Sequence, residues 1–302
     1  MVGVVPISLE EEYKKKTGIV PADTLKLRQW LETQPHLPRE HITDMDLILA
    51  YHCSNRSAEV SKQLVDLHYT LKTLFTNFFK DRYVDANILK TLKFYSLTML
   101  EGRAYDESAV LFTKLMDYDP KNFVYADVIR AVLMIIDLSQ YEQGTWPGLV
   151  IVMDLDKVTM GHVLRLDVQS VQQVLYFLQE AMLLKVTGLH FLNAPAFMDK
   201  IMMILRPFLK KELMDVLVIH QKDTRTIEKF IPREALPKEL GGNFTSFLKA
   251  RDLWIEKIRN SAKFFAEENK KRVNESLRPG KPKTISDIFG SVEGSFKKLD
   301  ID

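Results

Sequence analysis

A single cysteine, Cys53, stands in 302 residues. A lone thiol excludes an internal disulfide and suits a reducing compartment, where it serves as a small buried hydrophobe. No apolar run approaches the roughly 18 residues that a membrane span requires. The N-terminus Met1-Val-Gly-Val-Val-Pro-Ile reaches acidic Glu10-Glu11-Glu12 too soon for a signal peptide. Charge of one sign is also missing: 42 Lys and Arg face 40 Asp and Glu, a net charge of +2. No global field steers such a chain to nucleic acid or bilayer, so anion binding has to come from a local cluster. These absences predict a cytoplasmic protein without a nucleic-acid partner.

Catalytic signatures are missing as well. The chain has no G-x-G-x-x-G, no phosphate-binding G-x-x-x-x-G-K-[ST], no G-x-S-x-G and no H-E-x-x-H. Its seven His are scattered without metal-ligand spacing, and His190 and His220 read as structural. Asp154 and Asp156 share one face of a strand pattern, yet no nucleophile or metal motif accompanies them. Asp154 reads instead as a cap on the turn after the strand. An enzyme is disfavoured, and neither a cofactor nor a metal is expected.

What remains is an ordinary globular composition, 46% apolar and 27% charged, in one large domain or two smaller ones. Three parts are expected. Residues 1–80 read as a helical bundle without a strand: a helix from Pro21, a second over Met45 to Tyr51 capped by Thr43-Asp44, and a third from Ala58 with Val60, Leu64, Leu67, Leu71 and Leu74 on one face. From 81 to 245, short apolar runs at Val110–Leu115, Leu149–Leu155, Leu184–Leu192 and Val216–Ile219 alternate with helical windows at Val124–Leu138, Val168–Leu184, Ala196–Leu209 and Lys210–Leu217. That alternation predicts an α/β fold with a mainly parallel sheet. Residues 246–302 read as an amphipathic helix, Phe247 to Arg272, followed by a polar tail.

The window 196–209 carries Phe197, Met198, Ile201, Met202, Met203, Ile204, Leu205 and Phe208, which surround the helix instead of forming one stripe. Such a helix needs apolar partners on both sides, either as a buried core helix or as a lid between protein and lipid.

Four segments decide between these. Leu149-Val-Ile-Val-Met-Asp-Leu155, Leu184-Lys-Val-Thr-Gly-Leu-His-Phe-Leu-Asn-Ala-Pro195, Leu205-Arg-Pro-Phe-Leu209 and Leu236-Pro-Lys-Glu-Leu-Gly-Gly242 stand in an order and spacing that resemble the CRAL-TRIO lipid-binding family over residues 22–270. The resemblance implies an α/β lipid cage with a sheet floor, preceded by an N-terminal helical region, and a mobile gate helix at 196–209. It places ligand contacts at Phe112 on the sheet and at Ile129, Val132, Leu133 and Ile136 on the helix lining the cage. Further contacts fall at Leu149, Ile151, Met153, Phe177, Leu178, Met182, Leu189, Phe191, Phe197, Ile201 and Leu205. Burying about 500 Å² of ligand there is worth on the order of 12 kcal/mol before association entropy, so no polar anchor is needed.

The family's basic strand-edge pattern is reduced to Lys185-Val-Thr187-Gly188, with Arg206, Lys210 and Lys211 beyond it. Membrane docking is therefore expected through Met202 and Phe208, assisted by Lys185, Arg206, Lys210 and Lys211, which form a weakened phosphoinositide patch. The function so implied is a cytosolic carrier of one hydrophobic molecule, such as a retinoid, tocopherol, carotenoid or terpenoid, passed between membranes. Two other classes stay open: a lipid-sensing scaffold that uses 247–272 or a phosphoinositide membrane, and an enzyme acting on the caged lipid.

Overall fold

The computed structural model describes residues 4–222 and 225–290. Helices Pro21–Glu32, Asp44–Cys53 and Ala58–Leu74 form the N-terminal bundle, with no strand among the described residues before Tyr95. The second starts as its sequence dictates. The Thr43 hydroxyl accepts the Asp46 N–H at 3.2 Å, and the Asp46 carboxylate accepts the Thr43 N–H at 2.7 Å. The third helix is rotated from the expected face. Ser61, Val65, His68, Tyr69 and Lys72 are buried, while Val60 is half exposed.

The sheet has five strands in the order β1 (Tyr95–Met99), β2 (Ala109–Leu115), β3 (Leu149–Asp154), β4 (Val186–Leu192) and β5 (Leu217–Ile219). Four of these match expected runs within two residues and pair in parallel. The unforeseen β1 runs antiparallel to β2. It follows helix Ala86–Phe94 without a break, so nothing in the local sequence announces a strand there.

Helix Tyr125–Gln143 lies along one sheet face and outruns its predicted end, stopping at Gly144, whose φ of 68° favours a residue without Cβ. Helix Val168–Glu180 stops short of the expected Leu184. The expected gate divides into helix Met198–Leu205 and a 3-10 turn Arg206–Phe208, because Pro207 has no N–H with which to continue an α-helix. Its surface is not apolar all round: Met198, Ile201 and Met202 are buried, whereas Asp199, Lys200 and Met203 are exposed.

The C-terminal amphipathic segment breaks at Asn260-Ser261 into helices Phe247–Arg259 and Ala262–Glu268. Trp254, Ile255, Ile258 and Phe265 enter the main core, and Phe247 stacks on Phe112 across the sheet with ring centroids 4.6 Å apart. The apolar face offered to a partner in the scaffold reading is therefore already occupied. The expected polar tail also folds back: Phe289 stacks on Phe75 at 5.9 Å. Residues 291–302 of that tail lie outside the described residues.

A buried ion network joins these parts. Lys72 lies 2.9 Å from Glu268 and 3.6 Å from Asp137, and Arg82 lies 2.7 Å from Asp137. Lys271 pairs with Glu268 at 2.5 Å and with Asp46 at 2.8 Å. Nearby, His68 Nδ1 donates to the Ala181 carbonyl at 2.7 Å.

Burial, with Lys72 close by, lowers the His68 imidazole to about 3, and burial beside His220 lowers His190 to about 4. An unfolded histidine titrates near 6.5. Below that pH the unfolded chain takes up protons that the folded chain refuses, so stability falls as pH falls through this window. Melting temperatures are expected to drop from pH 7 to pH 5, at up to about 1.4 kcal/mol per pH unit for each buried neutral histidine. His68→Gln should flatten the slope, and thermal melts across this range check it. A flat wild-type profile would contradict the assignment.

Candidate ligand cavity and its gate

Parity along the strands builds the site. In a β-strand, alternate side chains face opposite sides of the sheet. Leu111, Ile151 and Leu189 stand in one register row, and Thr113, Met153 and Phe191 in a second. Both rows face a cavity of about 230 Å³. Over it lies helix Tyr125–Gln143, which contributes Val128, Ile129, Val132, Leu133 and Ile136 at helical spacing. Helix Val168–Glu180 adds Val171, Val174, Leu175, Phe177 and Leu178, while Ile201, Leu205 and Leu209 close the remaining side.

Thirteen of the sixteen expected ligand contacts meet here: Ile129, Val132, Leu133, Ile136, Ile151, Met153, Phe177, Leu178, Met182, Leu189, Phe191, Ile201 and Leu205. Three do not. Phe112 shares a row with Val152 and His190 on the opposite face and packs under Phe247. Leu149 has the right parity but sits at the far end of β3, fully buried away from the lining. Phe197 precedes the 198–205 helix and packs on the core outside the cavity.

Sequence reasoning missed the polar members of the lining, Tyr95, Thr113, Tyr125 and His162. The Tyr95 hydroxyl lies 3.4 Å from Thr113 Oγ1, and burial pushes the Tyr95 and Tyr125 phenols up, so both stay protonated. His162 Nδ1 accepts the Thr159 N–H at 3.1 Å and lies 3.0 Å from Thr159 Oγ1. No Asp, Glu, Lys or Arg belongs to the lining among the described residues.

Two larger clefts differ in kind. One of about 980 Å³ lies between the N-terminal bundle and the C-terminal helices, walled in part by Asp46, Lys72, Asp137, Glu268 and Lys271. Such a wall favours water over lipid, which is why the smaller apolar cavity is the candidate site. The other, about 640 Å³, holds Lys185, Glu180 and Lys210.

The 198–205 helix is tethered at both ends. Ahead of it, Asn193 donates to Asp154 at 2.7 Å from a left-handed backbone at φ 52°, and the Ala194 N–H reaches the His220 carbonyl at 3.1 Å. Asp154 also accepts the Asp156 N–H at 3.0 Å, the capping role read from sequence, and pairs with Lys114. Behind it, one side-chain amide does the work of a neighbouring strand. Gln179 donates to the Phe208 carbonyl at 2.9 Å and accepts the Lys210 N–H at 2.7 Å.

The expected membrane residues fare unevenly. Met202 is 2% exposed and turned into the body, and Met203, 65% exposed, stands outward in its place. Phe208 is half-buried. Lys185 binds Asn55, Lys210 pairs with Glu180 at 2.5 Å and Lys211 with Asp215 at 2.8 Å. Arg206 is exposed and has no ion pair among the described residues. The two histidines read as structural pair with each other, His190 Nδ1 lying 2.9 Å from His220 Nε2 on the opposite face of the sheet.

A CRAL/TRIO domain is matched over residues 93–242 and a "Pinta-like, UBA domain" over residues 19–88. The chain belongs to the CRAL-TRIO family. It is 29% identical to the mouse (Mus musculus) "Alpha-tocopherol transfer protein-like" over 124 residues, 41% of this chain and 36% of that protein. It is 19% identical to "Clavesin-1" of Xenopus laevis over 250 residues, 81% of this chain and 75% of that protein. The chain thus spans about a third of the length of the tocopherol-transfer-like relatives it matches. A solved structure titled "Crystal structure of Sfh5" aligns with 80% of this chain and 98% of its own at 13% identity and a TM-score of 0.42.

The two sheet faces should respond oppositely to substitution. Val132→Trp is expected to fill the cavity and abolish uptake of an apolar fluorescent probe while the protein stays folded. Phe112→Ala should cost about 3–5 kcal/mol of stability and leave probe affinity unchanged. Chemical denaturation and probe titration separate the two, and reversed outcomes would move the site to the other face.

Proposed function

We propose that this chain is a carrier that holds one hydrophobic small molecule in the cavity beneath helix Tyr125–Gln143 and releases it by displacement of the 198–205 helix at a membrane. One observation carries the reading. An apolar chamber without a charged lining residue among the described residues is closed on one side by a short helix held by its buried apolar face and by a few identifiable hydrogen bonds at its ends. Packing alone would give a filled core. The names of the tocopherol-transfer-like relatives support the same direction.

On this reading the protein works from the cytoplasm and docks transiently. Among the described residues no helix is long and apolar enough to cross a membrane. Exposed Met203 and half-buried Phe208 supply the apolar contact, with Arg206 beside them. Charge plays second part, because Lys185, Lys210 and Lys211 already have partners. Phosphoinositide could act at the 640 Å³ cleft only by displacing Asn55 or Glu180.

Native purification followed by organic extraction and mass spectrometry tests the reading, with one lipid per chain expected. A protein that arrives empty and takes up no retinoid, tocopherol, sterol, carotenoid or phospholipid would sink it. Transfer kinetics between vesicles probe the gate. Gln179→Leu removes the two hydrogen bonds that hold the 206–210 segment, worth about 1 kcal/mol each, so transfer should quicken by roughly five- to thirtyfold. Met203→Asp should slow it, and vesicle binding should survive high salt. Unchanged rates in both variants would exclude this helix as the gate.

A further inference from the structure

The cavity is not uniformly apolar, and its polarity is confined to a few atoms. Tyr95 opens β1, Thr113 lies near the end of β2, Tyr125 begins the helix above and His162 belongs to the short helix Met160–Val163. The Phe123 ring sits 6.4 Å from that of Tyr125 and packs edge-on to His162 at 5.7 Å. These residues mark the end of the chamber beyond the C-terminal edge of the parallel strands, where ligands of open α/β sheets commonly bind.

The proton on His162 can be placed from its partners. A backbone N–H can only donate, so the 3.1 Å contact from Thr159 N makes Nδ1 an acceptor. A neutral imidazole with an accepting Nδ1 carries its proton on Nε2. Desolvation by burial lowers the tendency of this ring to take a second proton. A proton on Nδ1 would also face the Thr159 N–H, donor against donor. His162 is 4% exposed, lines the cavity, and its Nε2 has no hydrogen-bond partner among the described residues. Buried donors are very rarely left unmatched. A donor held in one tautomer on the wall of an apolar chamber calls for an acceptor oxygen on the occupant.

The same wall limits what that oxygen can belong to. A carboxylate or phosphate enclosed there would meet no lysine or arginine, and an unpaired buried anion is strongly unfavourable. Phenols, a threonine hydroxyl and one neutral imidazole match an uncharged oxygen.

We propose that His162 Nε2–H holds the polar end of the bound molecule, and that the ligand is a neutral lipid ending in a carbonyl or hydroxyl oxygen, not a fatty acid or phospholipid. The inference rests on the carrier reading. Retinol, retinaldehyde, retinoic acid and the hydrocarbon that lacks the end oxygen share one polyene skeleton and differ only at the end group. Titrated against the full chain at neutral pH by ligand fluorescence or tryptophan quenching, the alcohol and aldehyde should bind about tenfold or more tighter than the acid. His162→Phe should weaken alcohol and aldehyde about five- to tenfold, the effect of one buried hydrogen bond, and leave the hydrocarbon unchanged.

Acid binding as tightly as alcohol, or a variant that weakens hydrocarbon as much as alcohol, overturns the end-group assignment and leaves the carrier reading intact. Failure of all four compounds to bind overturns both. Should His162→Phe not fold, the alcohol–acid ratio of the unaltered protein decides alone.

Discussion

The structure turns on a set of charges removed from water. Lys72 and Arg82 are 2% and 0% exposed, and their charges are matched by Asp137 and Glu268, with Lys271 completing the set. Burial pushes both carboxyls up, but the surrounding cations outweigh it: Lys72 and Arg82 hold Asp137 below its ordinary range, and Lys271, Lys72 and Arg82 hold Glu268 well below. Removing one member would strand an unpaired buried charge, a loss of about 3–5 kcal/mol. The network ties the N-terminal bundle and the C-terminal helices to helix Tyr125–Gln143 through Asp137, next to cavity-lining Ile136. On the carrier reading that helix is the wall that stays, and opening would occur across the chamber, on the side of Ile201, Leu205 and Leu209, where Gln179 and Asn193 supply the side-chain amide tethers.

How much of this could be read beforehand depended on the period of each element. Helix Tyr125–Gln143 was legible because Ile129, Val132, Leu133 and Ile136 recur at helical spacing, and all four line the cavity. The run at Val110–Leu115 was legible as a strand but not in which side chains face the cavity. It is apolar on both sides, since both sheet faces are covered, and such a run gives no parity. Parity came only from its neighbour: pairing of Leu111 with Ile151 assigns Leu111 and Thr113 to the cavity and sends Phe112 to the other face. The same limit misplaced Met202. Composition around 198–205 says that apolar residues abound, and only docking on the body decides that Met202 turns in and Met203 out.

Other features are invisible to any local pattern. Lys72 and Glu268 are 196 residues apart, and their pairing exists only once the chain has closed. His162 looks like one of seven scattered histidines until its fold neighbours are known: Thr159 donates to its Nδ1, and its ring belongs to the cavity lining. Burial turns an unremarkable residue type into a selective one, because an uncommitted donor is tolerated in water and costly in an apolar chamber.

The proposed gate is best understood through what opening exposes. Moving the 198–205 helix away from the body would bring Ile201, Leu205 and Leu209 out of an apolar environment. Each such side chain is worth roughly 1.5–3 kcal/mol in transfer to water, so spontaneous opening in solution is rare. A bilayer surface removes much of that penalty by offering the same side chains an apolar phase. Met203, already outside, would make first contact without any opening. On the carrier reading, the hydrogen bonds at Asn193 and Gln179 would act as latches at the two ends of the segment, and the solvent that the buried face meets would couple release to membrane arrival. On this reading the coupling would need no salt-dependent trigger, because the difference in hydration between water and lipid would provide it.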